Sequence, residues 1–175
     1  KNTGEKVRWY TGVAKIYLQL SNLDQGLTYF NKAADTRLKE VSGNHPELFT
    51  KNKLIKLENT DLTKIESSIQ DLFSPTTDEL VNYSTKDWAK GYYQLAVEAY
   101  DKGLNRVTEV LLLNATILAP QWSYFYIELA NYYYLAGQYK MAIEQIKLCM
   151  TQFHPKSDCQ KYFESDLKQD QTHRV

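Results

Sequence analysis

Shifting the sequence against itself by 34 positions superimposes two of its stretches, and no other feature narrows the fold as far. Tyr92 falls on Tyr126, Leu95 on Leu129, Ala96 on Ala130, Gly103 on Gly137 and Ala115 on Cys149, while Pro120 meets His154. The stretch from Pro120 to Pro155 is the clearer copy, two amphipathic helices folded back around Gly137 and closed by a proline. A weaker copy opens the chain, with Tyr10, Val13, Ala14, Tyr17, Phe30 and Ala33 in comparable places and Ser21 where the others carry glycine. A helical hairpin of this length buries its apolar face only by stacking on a neighbour. The expectation is an all-α chain, a solenoid of antiparallel helical hairpins.

The unit at 123–156 carries Tyr126, Leu129 followed by small Ala130, Tyr133, Gly137 before Tyr139, Ala142, Ile146, Cys149 and Pro155. With its spacing, this large-small-aromatic pattern resembles the tetratricopeptide repeat family. The unit at 89–122 keeps Tyr92, Leu95, Ala96, Gly103, Ala115 and Pro120, but has Ala99 for the second aromatic and Thr108 for the small alanine. The unit at 7–40 departs furthest, with Gly26 in that alanine's place and no closing proline. The resemblance implies a right-handed superhelical stack of hairpins forming one domain over about residues 1–168, with a polar, frayed tail at 169–175.

In chain order, Trp9, Val13, Ile16, Tyr17 and Leu20 are spaced as the apolar face of a first helix. Asn22 and Asp24 start its partner, which carries Leu27, Phe30, Ala33, Ala34, Leu38 and Val41. Gly43 or Asn44 suits a C-terminal cap and Pro46 the first turn of a following helix. Residues 46–84 interrupt the register and read as a diverged or inserted helical hairpin, with a capping box at Thr76 and Glu79. A second box at Ser84 and Asp87 opens the next unit. Its second helix, with Val107, Val110, Leu111, Leu112, Ala115 and Ile117, is apolar enough to be covered on more than one side. A last helix with Tyr162, Phe163 and Leu167, begun at Ser157 or Asp158, caps the stack.

Charge excludes some functions. Lys and Arg number 21 and Asp and Glu 21, so no net field draws the chain to nucleic acid, and the short basic cluster Lys51, Lys53, Lys56 is read as a wet surface. No stretch approaches the length of apolar sequence that spans a bilayer. The chain opens with Lys1 rather than methionine, which leaves room for a processed or excised form whose targeting or membrane-attaching segment lies upstream. The two cysteines, Cys149 and Cys159, flank one turn. They bridge if the turn brings their Cα atoms within about 5–6 Å; otherwise Cys149 is the core residue its register requires and Cys159 a free thiol. The bridge is the favoured alternative, and with it an extracytoplasmic home, periplasmic or extracellular, over the cytoplasm.

Catalysis finds no motif. His45, His154 and His173 fall in turns or the tail with no residue spaced to orient them, and Glu98, Asp101, Glu128 and Glu144 read as surface charge. There is no phosphate-binding loop, nucleophile elbow or metal motif, and no cofactor is called for. Asn82-Tyr83-Ser84 and Asn114-Ala115-Thr116 match glycosylation acceptors, the second in mid-helix. In the resembled family the first helix of each pair lines a concave groove that holds a peptide or a partner helix. Carried onto this sequence, the groove receives Arg8, Thr11, Lys15 and Leu18, then Lys90, Tyr93, Val97 and Tyr100, then Tyr124, Ile127, Asn131 and Tyr134. The carboxylate-gripping subgroup is a poor match, because Lys15 and Gln94 stand where asparagines are expected and Tyr124 and Glu128 where basic residues are. The function expected is a non-enzymatic protein or peptide scaffold. Two alternatives stand beside it: a spacer or oligomerisation module docking through Val110, Leu111 and Leu112, and a carbohydrate-related accessory domain suggested by fourteen tyrosines.

Overall fold

The structure is a computed structural model and describes residues 2–58, 61–152 and 158–167. Regular structure among the described residues is entirely helical. Three antiparallel hairpins pair α1 (Thr3–Gln19) with α2 (Leu23–Asn44), α5 (Thr85–Asp101) with α6 (Asn105–Leu118), and α7 (Ser123–Leu135) with α8 (Tyr139–Gln152). Between the first two hairpins lie a 3-10 turn (Thr63–Ile65), α3 (Glu66–Leu72) and α4 (Thr77–Val81). After the third come α9 (Asp158–Tyr162) and a π-type turn (Phe163–Leu167). The chain divides into two compact units, residues 1–118 and 119–175.

One local device closes all three hairpins. Asn22 N–H donates to Tyr17 C=O at 2.9 Å, Leu104 N–H to Ala99 C=O at 2.8 Å, and Gln138 N–H to Tyr133 C=O at 2.8 Å. One residue earlier, Ser21, Gly103 and Gly137 each donate to the carbonyl three residues back. These paired bonds satisfy the carbonyls that a helix leaves open at its C-terminus, and they require left-handed backbone at the residue after the cap. Gly103 and Gly137 have φ of 72° and 74°, and Ser21 takes 56° without the freedom of a glycine. The weak register of the first hairpin therefore marks a true structural equivalence. Beginnings are equally local: Asn22 accepts from Gln25 N–H, and both capping boxes, Thr76 with Glu79 and Ser84 with Asp87, are formed.

In the first unit, Phe30 of α2 lies 4.8 Å from Phe73, 4.7 Å from Trp88 and 5.6 Å from Tyr92 between ring centroids. Burying a side chain of this size stabilises by about 1.5–3 kcal/mol, and aromatic pairs in this edge-on geometry add to it. Asn31, one residue on, is also buried and accepts the Tyr92 hydroxyl, so neither polar group is stranded.

Three expectations are overturned. The interior stripe of α1 is Val7, Thr11, Ala14 and Leu18, while Trp9, Ile16 and Leu20 are 55%, 56% and 70% exposed. Close approach of the helices decides it: at Gly26 of α2 an added Cβ would stand 2.6 Å from Leu18 Cδ2, so the contact is built on small and slender residues and the bulky ones turn outward. Residues 46–58 are not a helix, and no helix starts at Pro46; α2 runs to Asn44 with His45 as its cap. Leu54 and Ile55 N–H groups bond instead to Asp35 and Asn114, satisfying donors that a helix would use internally. In α6, Val110, Leu111 and Leu112 are all buried within the chain, which removes the apolar surface that the oligomerisation alternative needed. The expected closing positions His154, Pro155 and Ser157 and the tail at 169–175 lie outside the described residues.

Candidate interaction faces

On α1 the predicted positions are already engaged. Thr11 and Leu18 are interior, and the Thr11 hydroxyl donates to Val7 C=O at 2.9 Å. Arg8 forms an ion pair with Asp78, and Lys15 Nζ donates to Pro75 C=O. From the other side Arg37 of α2 donates to Val81 C=O at 2.6 Å. Residues 75–81 are thus tied to both helices of the first hairpin, and this stretch of the chain lies against the α1 positions that the groove expectation had left open. Both partners of the Arg8–Asp78 pair are mostly exposed, so it contributes little on its own.

On α5 the side opposite Trp88, Tyr92, Leu95 and Ala99 carries Lys90, Tyr93, Val97 and Tyr100. Lys90 is exposed, Tyr93 half-buried, and Val97 and Tyr100 are 44% and 45% exposed. On α7, Tyr124 is exposed and sits edge-on to Phe125, and Tyr134 is half-buried and edge-on to Tyr139 at 5.4 Å. Asn131 accepts the Tyr162 hydroxyl from α9, and Ile127 packs on a cluster of Tyr126, Cys149 and Cys159. The two cysteines form a disulfide with Cα atoms 6.2 Å apart, both side chains fully buried, so Cys149 is at once core residue and crosslink. Burial pushes the Tyr126 hydroxyl up to about 12, and its bond to Gln152 at 3.0 Å offsets only part of that.

Ser74, Pro75, Glu79, Asn82, Tyr83 and Asp87 line an open cleft of about 720 Å³. Its carboxylates are occupied as helix caps. The Thr76 N–H and hydroxyl hold Glu79 below the usual carboxylate range. Burial alone would raise Asp87, but the Ser84 hydroxyl and N–H outweigh it and leave it lowered. Burial, then Asp87 and Glu79, push the Tyr83 phenol up. A general acid or base works best with a pKa near the working pH. Here both acids are held ionised and the phenol protonated. No group of three or more His, Cys, Asp or Glu side chains is placed to hold a metal among the described residues, and no helix there is long and apolar enough to cross a membrane.

The groove expectation does not include Asp35 or Asn114, the two side chains that hold residues 54 and 55. A signal for Asn114 exists in the sequence: an amide between Leu111 and Leu118, in a run otherwise apolar apart from Thr116, is a buried polar group that must find a partner. As a glycosylation acceptor it is unusable in the folded chain, since it has no exposed surface. Asn82 is exposed, its Nδ2 donating to Asp78 C=O. Comparison with protein-family models, with curated proteins and with solved structures finds no match to this chain.

Proposed function

We propose that the chain is a non-enzymatic scaffold of the tetratricopeptide-repeat type that binds a protein or peptide partner through α5, the first helix of its second hairpin. The observation that carries this reading is the stripe on α5: Lys90, Tyr93, Val97 and Tyr100 follow one another at helical spacing opposite a fully buried face. Val97 and Tyr100, half open to solvent, with Lys90 about two to three turns away, suit a partner offering apolar side chains and an acidic group. Within the first unit the large exposed apolar residues of the hairpin helices fall on α1 and α5 and none on α2 and α6, whereas in the second unit α8 carries Met141 and Leu148 beside those of α7. A single repeat domain over 1–168 is part of this proposal.

Selection of displayed random peptides on the intact chain, with counter-selection on Val97→Asp/Tyr100→Asp, tests it. The expected result is a set of peptides that bind the parent and lose at least ten-fold in affinity on the double variant. Peptides indifferent to that pair would sink the α5 assignment, and a chain that associates with itself in a sedimentation concentration series would point to self-association through a surface other than Val110, Leu111 and Leu112. The disulfide supports an oxidising, extracytoplasmic compartment. Counting thiols in protein isolated without added oxidant checks this, with two reactive thiols as the adverse outcome.

A further inference from the structure

Residues 49–57 run as a non-helical strip over α2 and α6, the second helices of their hairpins, and two side chains there address its backbone. Asn114 Oδ1 accepts from Ile55 N–H at 2.8 Å, and its Nδ2 donates to Ile55 C=O at 2.9 Å. Asp35 accepts from Leu54 N–H at 2.8 Å. A residue whose own N–H and C=O reach one amide is extended, and this two-bond ring supplies what a neighbouring β-strand would. Such pairing is indifferent to the side chain, proline excepted. Ile55 is accordingly exposed, whereas Phe49 and Leu54 are buried as the anchors of the strip and residues 50–53 between them are exposed. Lys53 and Lys56 of the strip, with Lys39 of α2, lie near enough to the Asp35 carboxylate to favour its charge. The receiving groups are carried on long helices, and Asn114 is fully buried, so lifting the strip away would leave its amide with neither bond.

We infer that the surface formed by α2 and α6 is a binding track for an extended peptide, occupied in this structure by the chain's own residues 49–57. From a partner it takes a segment of the same chemistry: a large apolar side chain five positions ahead of a second one, with basic residues beside the second. The track uses residues separate from the α5 stripe and stands independently of the partner proposed there. Tethering gives the resident segment an effective concentration in the millimolar range, so a free peptide competes measurably only when the resident anchors are weakened.

The test uses the intact chain and a fluorescein-labelled synthetic peptide with the sequence of residues 47–57, read by anisotropy. The Phe49→Ala/Leu54→Ala variant is expected to bind the peptide at least ten-fold more tightly than the parent, and adding Asn114→Ala to remove that gain. A folded double variant that does not bind, or binding that survives Asn114→Ala, overturns the inference. So does loss of the helical circular dichroism signal in the double variant, because the strip is then a wall of the core. On the parent chain, the Leu54 and Ile55 amides should exchange hydrogen at least ten-fold faster than those of Leu95 to Ala99, and equal protection would speak for a permanent staple.

Discussion

Ser21, Gly103 and Gly137 share one left-handed backbone conformation, and only the serine has a Cβ to accommodate there. For an L-residue that conformation costs about 1–2 kcal/mol, against which a glycine gives up part of the gain through its greater freedom when unfolded. Ser21→Gly should therefore stabilise the first unit by about 0.5–1 kcal/mol, and Gly137→Ala should destabilise the second by about 1 kcal/mol. Urea unfolding followed by circular dichroism reads both, and a stabilised alanine variant would contradict the backbone assignment. Asp35 makes a prediction in pH. Burial raises its carboxyl above the usual range despite the Leu54 N–H and the nearby lysines. An acid with a raised folded-state pKa contributes stability that is complete below its unfolded pKa and fades as pH climbs through the folded value. Asp35→Asn keeps the acceptor for Leu54 and removes the titration. The urea midpoint of the parent should gain on that of the variant as pH falls from 7 to 3, and a gain in the opposite direction would show that the carboxylate, not the acid, is the form preferred in the fold.

Among the elements, α2 carries the heaviest packing through Phe30, which meets Phe73, Trp88 and Tyr92. Phe30→Ala should cost about 3–5 kcal/mol, seen as a lowered midpoint in thermal melts. What the sequence makes legible about these elements is what is settled locally. Turns announce themselves through a residue that tolerates positive φ, and helix starts through a hydroxyl or amide with an acid three positions on, as at Thr76 and Ser84. What is settled by distant contacts is hidden. The outward turn of Trp9, Ile16 and Leu20 depends on how closely Leu18 meets Gly26, and periodicity weighs side-chain size rather than fit. Residues 46–58 are not helical, and Asp35 and Asn114 claim the Leu54 and Ile55 amides from 19 and 59 positions away. Lys15, Arg8 and Asn131 could be placed on a helix face from spacing, but not the carbonyl of Pro75, the carboxylate of Asp78 or the hydroxyl of Tyr162 that engage them.

For the molecule as a whole, two compact units carry unequal means of support. The first holds an aromatic core and two backbone-directed clamps; the second holds one short-range disulfide joining α8 to α9. Closing so short a loop stabilises by about 2–3 kcal/mol. Hydrogen exchange on the intact chain, with and without a dithiol reductant, should show faster exchange in α7 and α8 on reduction and little change in α5. Acceleration of equal size in α5 would mean that the chain opens as one cooperative body. Asn114 carries a consequence for the order of events in biosynthesis. Its acceptor sequence is readable only while the chain is unfolded, and its amide is needed intact once Ile55 has seated. In a glycosylating compartment the first unit would have to close over that residue before a transferase reached it. A sugar added there would trap the chain with its clamp open, so the speed of hairpin assembly, rather than final stability, would decide how much of the chain reaches the closed form.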